Sequence, residues 1–259
     1  VYRAHMENGP DLVVKLGQTG SGLALEGYCL GHLATHGNLP VPDVLFASDE
    51  MLLMTYLESG ESIGHGAATH AGELVARMHL VSAPVGTLGG FGFEKDTTIG
   101  GLHQPNPWNK NWVDFFKYNR LLYMGGVAME AGNLPVEIFK RLEKFSDNLE
   151  NRIESPEKSS LIRGDMWTGN VLAANGRISG FVDPATYYAD AEIELAFTQM
   201  FGTFNQVFFD AYKNIRPIKP GFFEERLSIY NLYPLLVHVR LFAGGYVNSV
   251  DGTLKKFGY

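Results

Sequence analysis

Two aspartates 18 positions apart, Asp165 and Asp183, frame the segment that most constrains this chain. Asn170 follows the first of them by five positions, and Asn175-Gly176 interrupts the apolar stretch that leads to the second. Asn-Gly between two strand-like runs is a strong short-range hairpin signal, because both turn residues tolerate positive φ. The β-type runs 160–163, 170–174 and 178–182 predict a strand, a polar loop and then a hairpin, with one aspartate before the hairpin and one after it. Gly164 and Gly169 bracket the loop and supply the backbone freedom of a tight connection.

A carboxylate, a side-chain amide and a second carboxylate at this spacing suit phosphoryl transfer. That chemistry needs an acceptor oxygen held in line with the γ-phosphate and cations that neutralise the phosphate oxygens. The layout is similar to a protein-kinase catalytic loop, with an Asp base, an Asn five positions later and a metal-binding Asp beyond a short hairpin. Asp165 is the candidate base. Asn170 offers an uncharged oxygen to Mg²⁺ and Asp183 a carboxylate, because Mg²⁺ takes few protein ligands alongside phosphate oxygens. The competing reading is two ordinary turn aspartates. An Asp-x-x-x-x-Asn string alone is common, and the strand, loop and hairpin around it are what favour a site.

Composition limits the alternatives. A chain of 259 residues can bury a large core and allows one big domain or two lobes. Its 45% apolar and 19% charged content are those of an ordinary globular protein. A net charge of −7 without a clustered basic face argues against a nucleic-acid partner. No apolar run reaches the ~18 residues of a spanning helix and no amino-terminal signal pattern is present, which argues against a membrane partner. The single cysteine, Cys29, excludes an internal disulfide framework and suits a reducing cytoplasm, the expected location.

Residues 1–6 and 11–16 predict two strands joined at Asn8-Gly9-Pro10. A Gly-rich connection at 17–22 leads into a helix ended by Pro40 and Pro42, and strands at 43–47 and 51–57 follow. The polar break Glu58-Ser59-Gly60-Glu61 marks the expected boundary between a lobe at 1–57 and one at 58–259. The second is expected to be mainly helical, over 67–81, 108–131, 135–153, 190–201, 207–214 and 222–247, interrupted by the hairpin. In the first, Lys15 lies on a strand and Glu26 on the next helix, a Lys-Glu arrangement that kinases set against the α- and β-phosphates. A solvated strand Lys and a surface Glu are the plainer reading, and the Asp165 loop in the same chain tips the balance.

The strings Arg163-Gly164-Asp165-Met166-Trp167-Thr168-Gly169-Asn170, Val182-Asp183-Pro184-Ala185-Thr186-Tyr187-Tyr188 and Glu192-Ile193-Glu194-Leu195-Ala196 resemble the fructosamine kinase (ketosamine 3-kinase) family, within the aminoglycoside-phosphotransferase-like kinases. The resemblance extends to Ile99-Gly100-Gly101, Trp112-Val113-Asp114-Phe115-Phe116 and Tyr230-Asn231-Leu232-Tyr233, nearly the whole chain. It implies a protein-kinase-like two-lobed α+β fold, with a small antiparallel-sheet lobe and a larger helical lobe. It implies ATP-dependent, Mg²⁺-dependent phosphorylation of a sugar hydroxyl on a ketosamine, and the family is associated with protein deglycation, so glycated protein lysines are among the implied acceptors. By this likeness Asp165 is the base, Asn170 and Asp183 hold Mg²⁺, and Lys15 with Glu26 serves the phosphates. Met54-Thr55-Tyr56-Leu57 would be the adenine hinge, placing Thr55, Tyr56 and Leu57 at the cofactor. Trp167 resembles the tryptophan on which the family stacks its sugar, with a packing anchor as the equal alternative. His238 lies near positions that face the sugar, against the competing reading of a hydrogen-bonded core histidine.

Two departures stand out. Arg163 replaces the family's usual His before Gly-Asp, putting a permanent guanidinium beside the loop, with Glu194 or Asp183 as expected partners. The family's glycine-rich phosphate loop precedes the strand that starts at Val1; either residues ahead of this sequence carry it, which is the favoured expectation, or ATP is bound without that clamp. Gly17-Gln18-Thr19-Gly20-Ser21-Gly22 is no substitute, since it lacks a Gly-Lys-Ser/Thr ending. Alternatives are an aminoglycoside or other aminated-sugar phosphotransferase, or a catalytically weak kinase-like scaffold. A different class, an extracellular adhesion module, is suggested only by the tripeptide Arg163-Gly164-Asp165. The residues do not specify an oligomeric state.

Overall fold

In a computed structural model the described residues are 1–86 and 90–259. The chain forms two compact units, each assembled from separate stretches. One comprises 1–81, 161–186 and 201–217, and the other 82–160, 187–200 and 218–259. The strand-rich amino-terminal residues therefore share a unit with the hairpin that carries Asp183.

The first unit is built on a four-stranded antiparallel sheet in the order β1-β2-β4-β3. Its strands are β1 (Tyr2–Ala4), β2 (Leu12–Leu16), β3 (Val44–Ala47) and β4 (Met51–Thr55). The pairing sets Lys15 opposite Leu52 and Leu12 opposite Thr55, and a register shift between Val44 and Phe46 kinks the β3 edge. Helix α1 (Leu23–His32) starts after Gly22 at φ +81 and covers one face of the sheet. Its Leu23 and Leu30 pack with Leu52 and Met54. Close approach explains Gly27, where a Cβ would lie 2.7 Å from the Ala47 methyl.

Helix α2 (His65–Met78) packs against Gln206–Lys213. The contact is tight at Gly72, since a Cβ there would stand 2.4 Å from the Phe208 carbonyl oxygen. The hairpin Val171–Ala174/Arg177–Phe181 turns at Asn175 and Gly176 with φ of +53 and +68, the left-handed pair that the Asn-Gly signal predicts. Glu61 accepts the Gly176 N–H at 2.8 Å and donates its own N–H to Ala173, so the polar segment after β4 is tied to the hairpin.

The second unit is mainly helical and contains a hairpin, Thr97–Ile99/Leu102–Gln104, in a stretch expected to hold none. Its turn is Gly100-Gly101, with φ of +56 and +77. The expected helix over 108–131 begins only at Trp112, because Asn111 caps it by accepting the N–H groups of Val113 and Asp114. The expected continuous helix over 222–247 is broken at Ala243 and Gly244, both at positive φ, and a separate helix runs over Gly245–Lys256. At the centre of this unit Arg120 is fully buried. Its guanidinium donates to the Pro105 carbonyl at 2.7 Å and to Asn106 Oδ1 at 2.6 Å, and it lies 4.0 Å from the Tyr187 ring centre.

Candidate active site

Lys15 and Glu26 meet as the spacing predicts. The alternation of β2 places Lys15 on the same face as Val13, and α1 brings Glu26 to it, with Nζ 2.7 Å from Oε1. The same ammonium pairs with the Asp183 carboxylate. One cation thus holds two carboxylates of unequal burial: the Glu26 side chain is 16% exposed and that of Asp183 50%. Burial is the main force on both, and they resolve it differently. Glu26 is pushed up to about 7, chiefly by desolvation, with Lys15 opposing. Asp183 also feels desolvation, but Lys15, then a hydrogen bond with Glu26 and last the Arg163 guanidinium outweigh it and hold its carboxyl below the usual value. The wetter carboxylate keeps its charge and the drier one is the readier to take a proton.

Lys15 and Asp183 line a cleft of about 240 Å³. Thr55, Tyr56 and Leu57 also line it, as do Val13, Pro42, Leu172 and Val182. A slot with apolar walls and charged groups suits a flat base joined to phosphates. The amide hydrogens of Thr55 and Tyr56 are committed to the carbonyls of Asp43 and Asp11. Of the expected hinge, these two residues therefore do not offer amide donors to a ligand. Gly180 permits the close approach of hairpin and hinge, since a Cβ there would lie 2.2 Å from Leu57 Cδ1.

The loop after strand Ser160–Ile162 is held from inside by Arg163. This side chain is completely buried, and its guanidinium donates to the backbone carbonyls of Asp165 and Val182 and, at 3.0 Å, of Asp183. The expected partner Asp183 is thus reached through its main chain, because the planar fork spans three converging carbonyls. Gly164 is obligatory here: it sits at φ +91, and a Cβ would come within 2.0 Å of the Ala185 carbonyl oxygen. Asp183 itself adopts φ +51, a left-handed conformation that costs energy in a residue other than glycine and is typical of functional positions.

Asn170 turns its amide nitrogen toward Asp165, 3.0 Å from Oδ2 and 3.2 Å from the main-chain oxygen. That orientation leaves its Oδ1 as the atom that could meet a cation. Asn170 Oδ1 and the half-exposed Asp183 carboxylate form a sparse all-oxygen donor set, which fits Mg²⁺ shared with phosphate oxygens. Trp167 is 45% exposed, and its ring lies over Gly169, where a Cβ would meet it at 2.3 Å.

Asp165, Asn170, Asp183, Lys15, Glu26, Thr55, Tyr56, Leu57 and Trp167 therefore all belong to one unit. His238 belongs to the other, where its Nδ1 lies 2.7 Å from the Pro234 carbonyl oxygen and its ring touches Phe242 and Tyr246. The apolar walls Val13, Leu172 and Val182 went unnoticed in the sequence, although the two-residue alternation Val13-Lys15 carried a signal. Nothing local pointed to Pro42.

Comparison with known proteins agrees with this geometry. The family profile described as Fructosamine kinase matches residues 18–257. A Synechocystis protein named as a probable ketoamine kinase is 36% identical over 211 residues, covering 81% of this chain and 68% of its own length. An Arabidopsis thaliana chloroplastic protein-ribulosamine 3-kinase is 32% identical over 202 residues, covering 76% of this chain and 59% of its own. Among solved structures, a "putative fructosamine-3-kinase" of Thermobifida fusca superimposes with a TM-score of 0.87 at 30% identity, covering 98% of this chain and 89% of that one. An aminoglycoside phosphotransferase at 16% identity and a TM-score of 0.67 shares the fold. The fold is thus the two-lobed α+β fold of protein-kinase-like phosphotransferases.

Proposed function

The chain belongs to the fructosamine kinase family, and on that footing we propose that it transfers the γ-phosphate of ATP to a sugar hydroxyl of a ketoamine. The observation that carries the proposal is the coupling of two pairs. Asp165 and Asn170 are hydrogen-bonded to each other, and Arg163 ties their loop to the turn that points Asp183 at Lys15. Residues 1–57 would serve the nucleotide, and 58–259 would carry the catalytic loop and the acceptor site.

In this reading the base enters the cleft beside Thr55, Tyr56 and Leu57, and Lys15, oriented by Glu26, meets the α- and β-phosphates. Asn170 Oδ1 and the Asp183 carboxylate would hold Mg²⁺, which when bound neutralises charge on the phosphate oxygens. Asp165 hydrogen-bonds the acceptor hydroxyl and takes its proton as the oxygen attacks the γ-phosphorus. The new O–P bond forms as the bond to ADP breaks, in line and without a phosphoenzyme. Trp167 presents an exposed face to the apolar side of the sugar, and His238 is assigned to the acceptor.

The ketoamine class rests on the names of the relatives, and glycated protein lysines are its macromolecular form. Cytoplasm is the proposed location, in keeping with a single, buried Cys29. The test is phosphorylation of synthetic fructoselysine and ribuloselysine with Mg²⁺ and ATP, with the phosphorylated oxygen located by NMR. Turnover lost in Asp165→Asn is expected. A protein that binds Mg·ATP yet phosphorylates no ketoamine, and instead an aminoglycoside, would overturn the acceptor assignment.

A further inference from the structure

Two residues with no part in the chemistry above, Arg3 and Asp11, bracket Tyr56, which lines the cleft. Asp11, just before β2, accepts the Tyr56 N–H on its main-chain oxygen at 2.9 Å. Its carboxylate also receives Arg3 from β1, Nε at 2.7 Å and Nη2 at 2.6 Å. So held, the Arg3 guanidinium lies over the Tyr56 ring, with Cζ 3.8 Å from the ring centre. Asp11 thus grips Tyr56 twice, once through the main chain and once through the stacked arginine.

The register explains why this bears on a ligand. Arg3 pairs with Val13, so both side chains lie on the face of the sheet that lines the cleft. Asp11 and Tyr56 lie four residues from Lys15 along β2, roughly 13 Å at the rise of a strand. Lys15 and Tyr56 thus both line the cleft, and Arg3 stacks on the second of them.

We infer that Arg3, held by Asp11, is a positioning residue for the nucleotide, which fixes the Tyr56 side chain and main chain as a wall of the base pocket. This rests on the reading of the cleft as an ATP site. His5 Nδ1 lies 2.9 Å from the same Asp11 oxygen and competes with Arg3 for it. The Asp11 carboxyl is held below the usual range, first by its hydrogen bond to Arg3, so the bracket stays charged at neutral pH.

The test is a double-mutant cycle read by calorimetric titration of ATP and by steady-state kinetics. Arg3→Met keeps the aliphatic stem and removes the stack. Asp11→Asn keeps the main-chain bond and loosens the arginine. Each is expected to raise the Kd and KM for ATP about two- to fivefold, the range of an exposed cation–π contact, with the loss in KM and not in kcat or the acceptor KM. In a Tyr56→Leu background, Arg3→Met should add nothing. Unchanged ATP affinity in both single variants, an equal Arg3→Met effect with and without Tyr56, or equal losses in kcat and both KM values would each overturn the bracket. A wild-type protein that binds ATP with variants that bind as well would defeat the bracket alone, whereas a wild type that binds no adenine nucleotide would defeat the ATP reading with it.

Discussion

Asn170 donates its side-chain amide to the Asp165 carboxylate at 3.0 Å, so the candidate base and a candidate metal ligand orient each other. The contact fixes the orientation of the Asn170 amide, whose nitrogen faces Asp165 and whose oxygen is the atom that could meet a cation. Asp165→Asn removes the proton acceptor while keeping the shape. It should lower kcat by about 10²- to 10⁴-fold, the span of general-base contributions, with nucleotide affinity retained. A coupled ADP-release assay beside ATP titration checks both, and a variant with kcat within a factor of a few would exclude Asp165 as base.

Asp183→Ala should abolish Mg²⁺-dependent turnover without unfolding the protein. The reason is double: a candidate metal ligand is lost, and Lys15 loses one of its two carboxylates. Circular dichroism should be unchanged and Mg²⁺ titration flat. Normal turnover across the Mg²⁺ series would contradict the assignment.

Gly164→Ala should cost about 2–4 kcal/mol of stability, because it combines a left-handed backbone with a main-chain clash at Ala185. Urea unfolding measures it. A loss below about 0.5 kcal/mol, the level of ordinary surface changes, would show that the loop relaxes freely.

Trp167→Ala should raise the acceptor KM about tenfold, corresponding to about 1.4 kcal/mol of lost stacking, and leave ATP affinity alone. Equal losses for both substrates would assign the ring to packing over Gly169.

Glu26 gives a pH dependence with a defined sign. Its carboxyl rises from 4.5 unfolded to about 7 folded, so between these values the native state binds more protons than the unfolded one. Stability from this group is fully present below 4.5 and is lost as pH rises through about 7. Glu26→Gln should remove that slope, so the difference in unfolding free energy between wild type and variant should fall from pH 5 to pH 8. Asp183 runs the other way: its lowered value gives stability present above its ordinary pKa and lost in acid. Parallel wild-type and Glu26→Gln curves over pH 5–8 would refute the burial argument.

Much of the first unit was legible in the sequence because its signals are local. Asn175-Gly176 dictates its own turn, and Asp165, Asn170 and Asp183 are spaced by a loop and hairpin of fixed length. Lys15 was recognisable from the strand alternation around it. What escaped notice depends on distant partners. The three carbonyls that receive Arg163 converge only in the folded chain, so sequence suggested a carboxylate for it. The Thr97–Ile99/Leu102–Gln104 hairpin consists of three-residue strands, too short to show a period. The break at Ala243 has no turn residue of its own to announce it, only the glycines that follow.

Arg120 draws a contrast with the Lys15 cluster. Its partners are the oxygens of Pro105, Asn119 and Asn106 and the faces of Phe115 and Tyr187. None of these oxygens gains or loses a proton in the working range, and a guanidinium does not give one up. The anchorage that this residue provides is therefore indifferent to acidity, while in the Lys15 cluster the Glu26 carboxyl is pushed up to about 7. A change of pH in the medium would be felt at Glu26 while this anchor stays as it is.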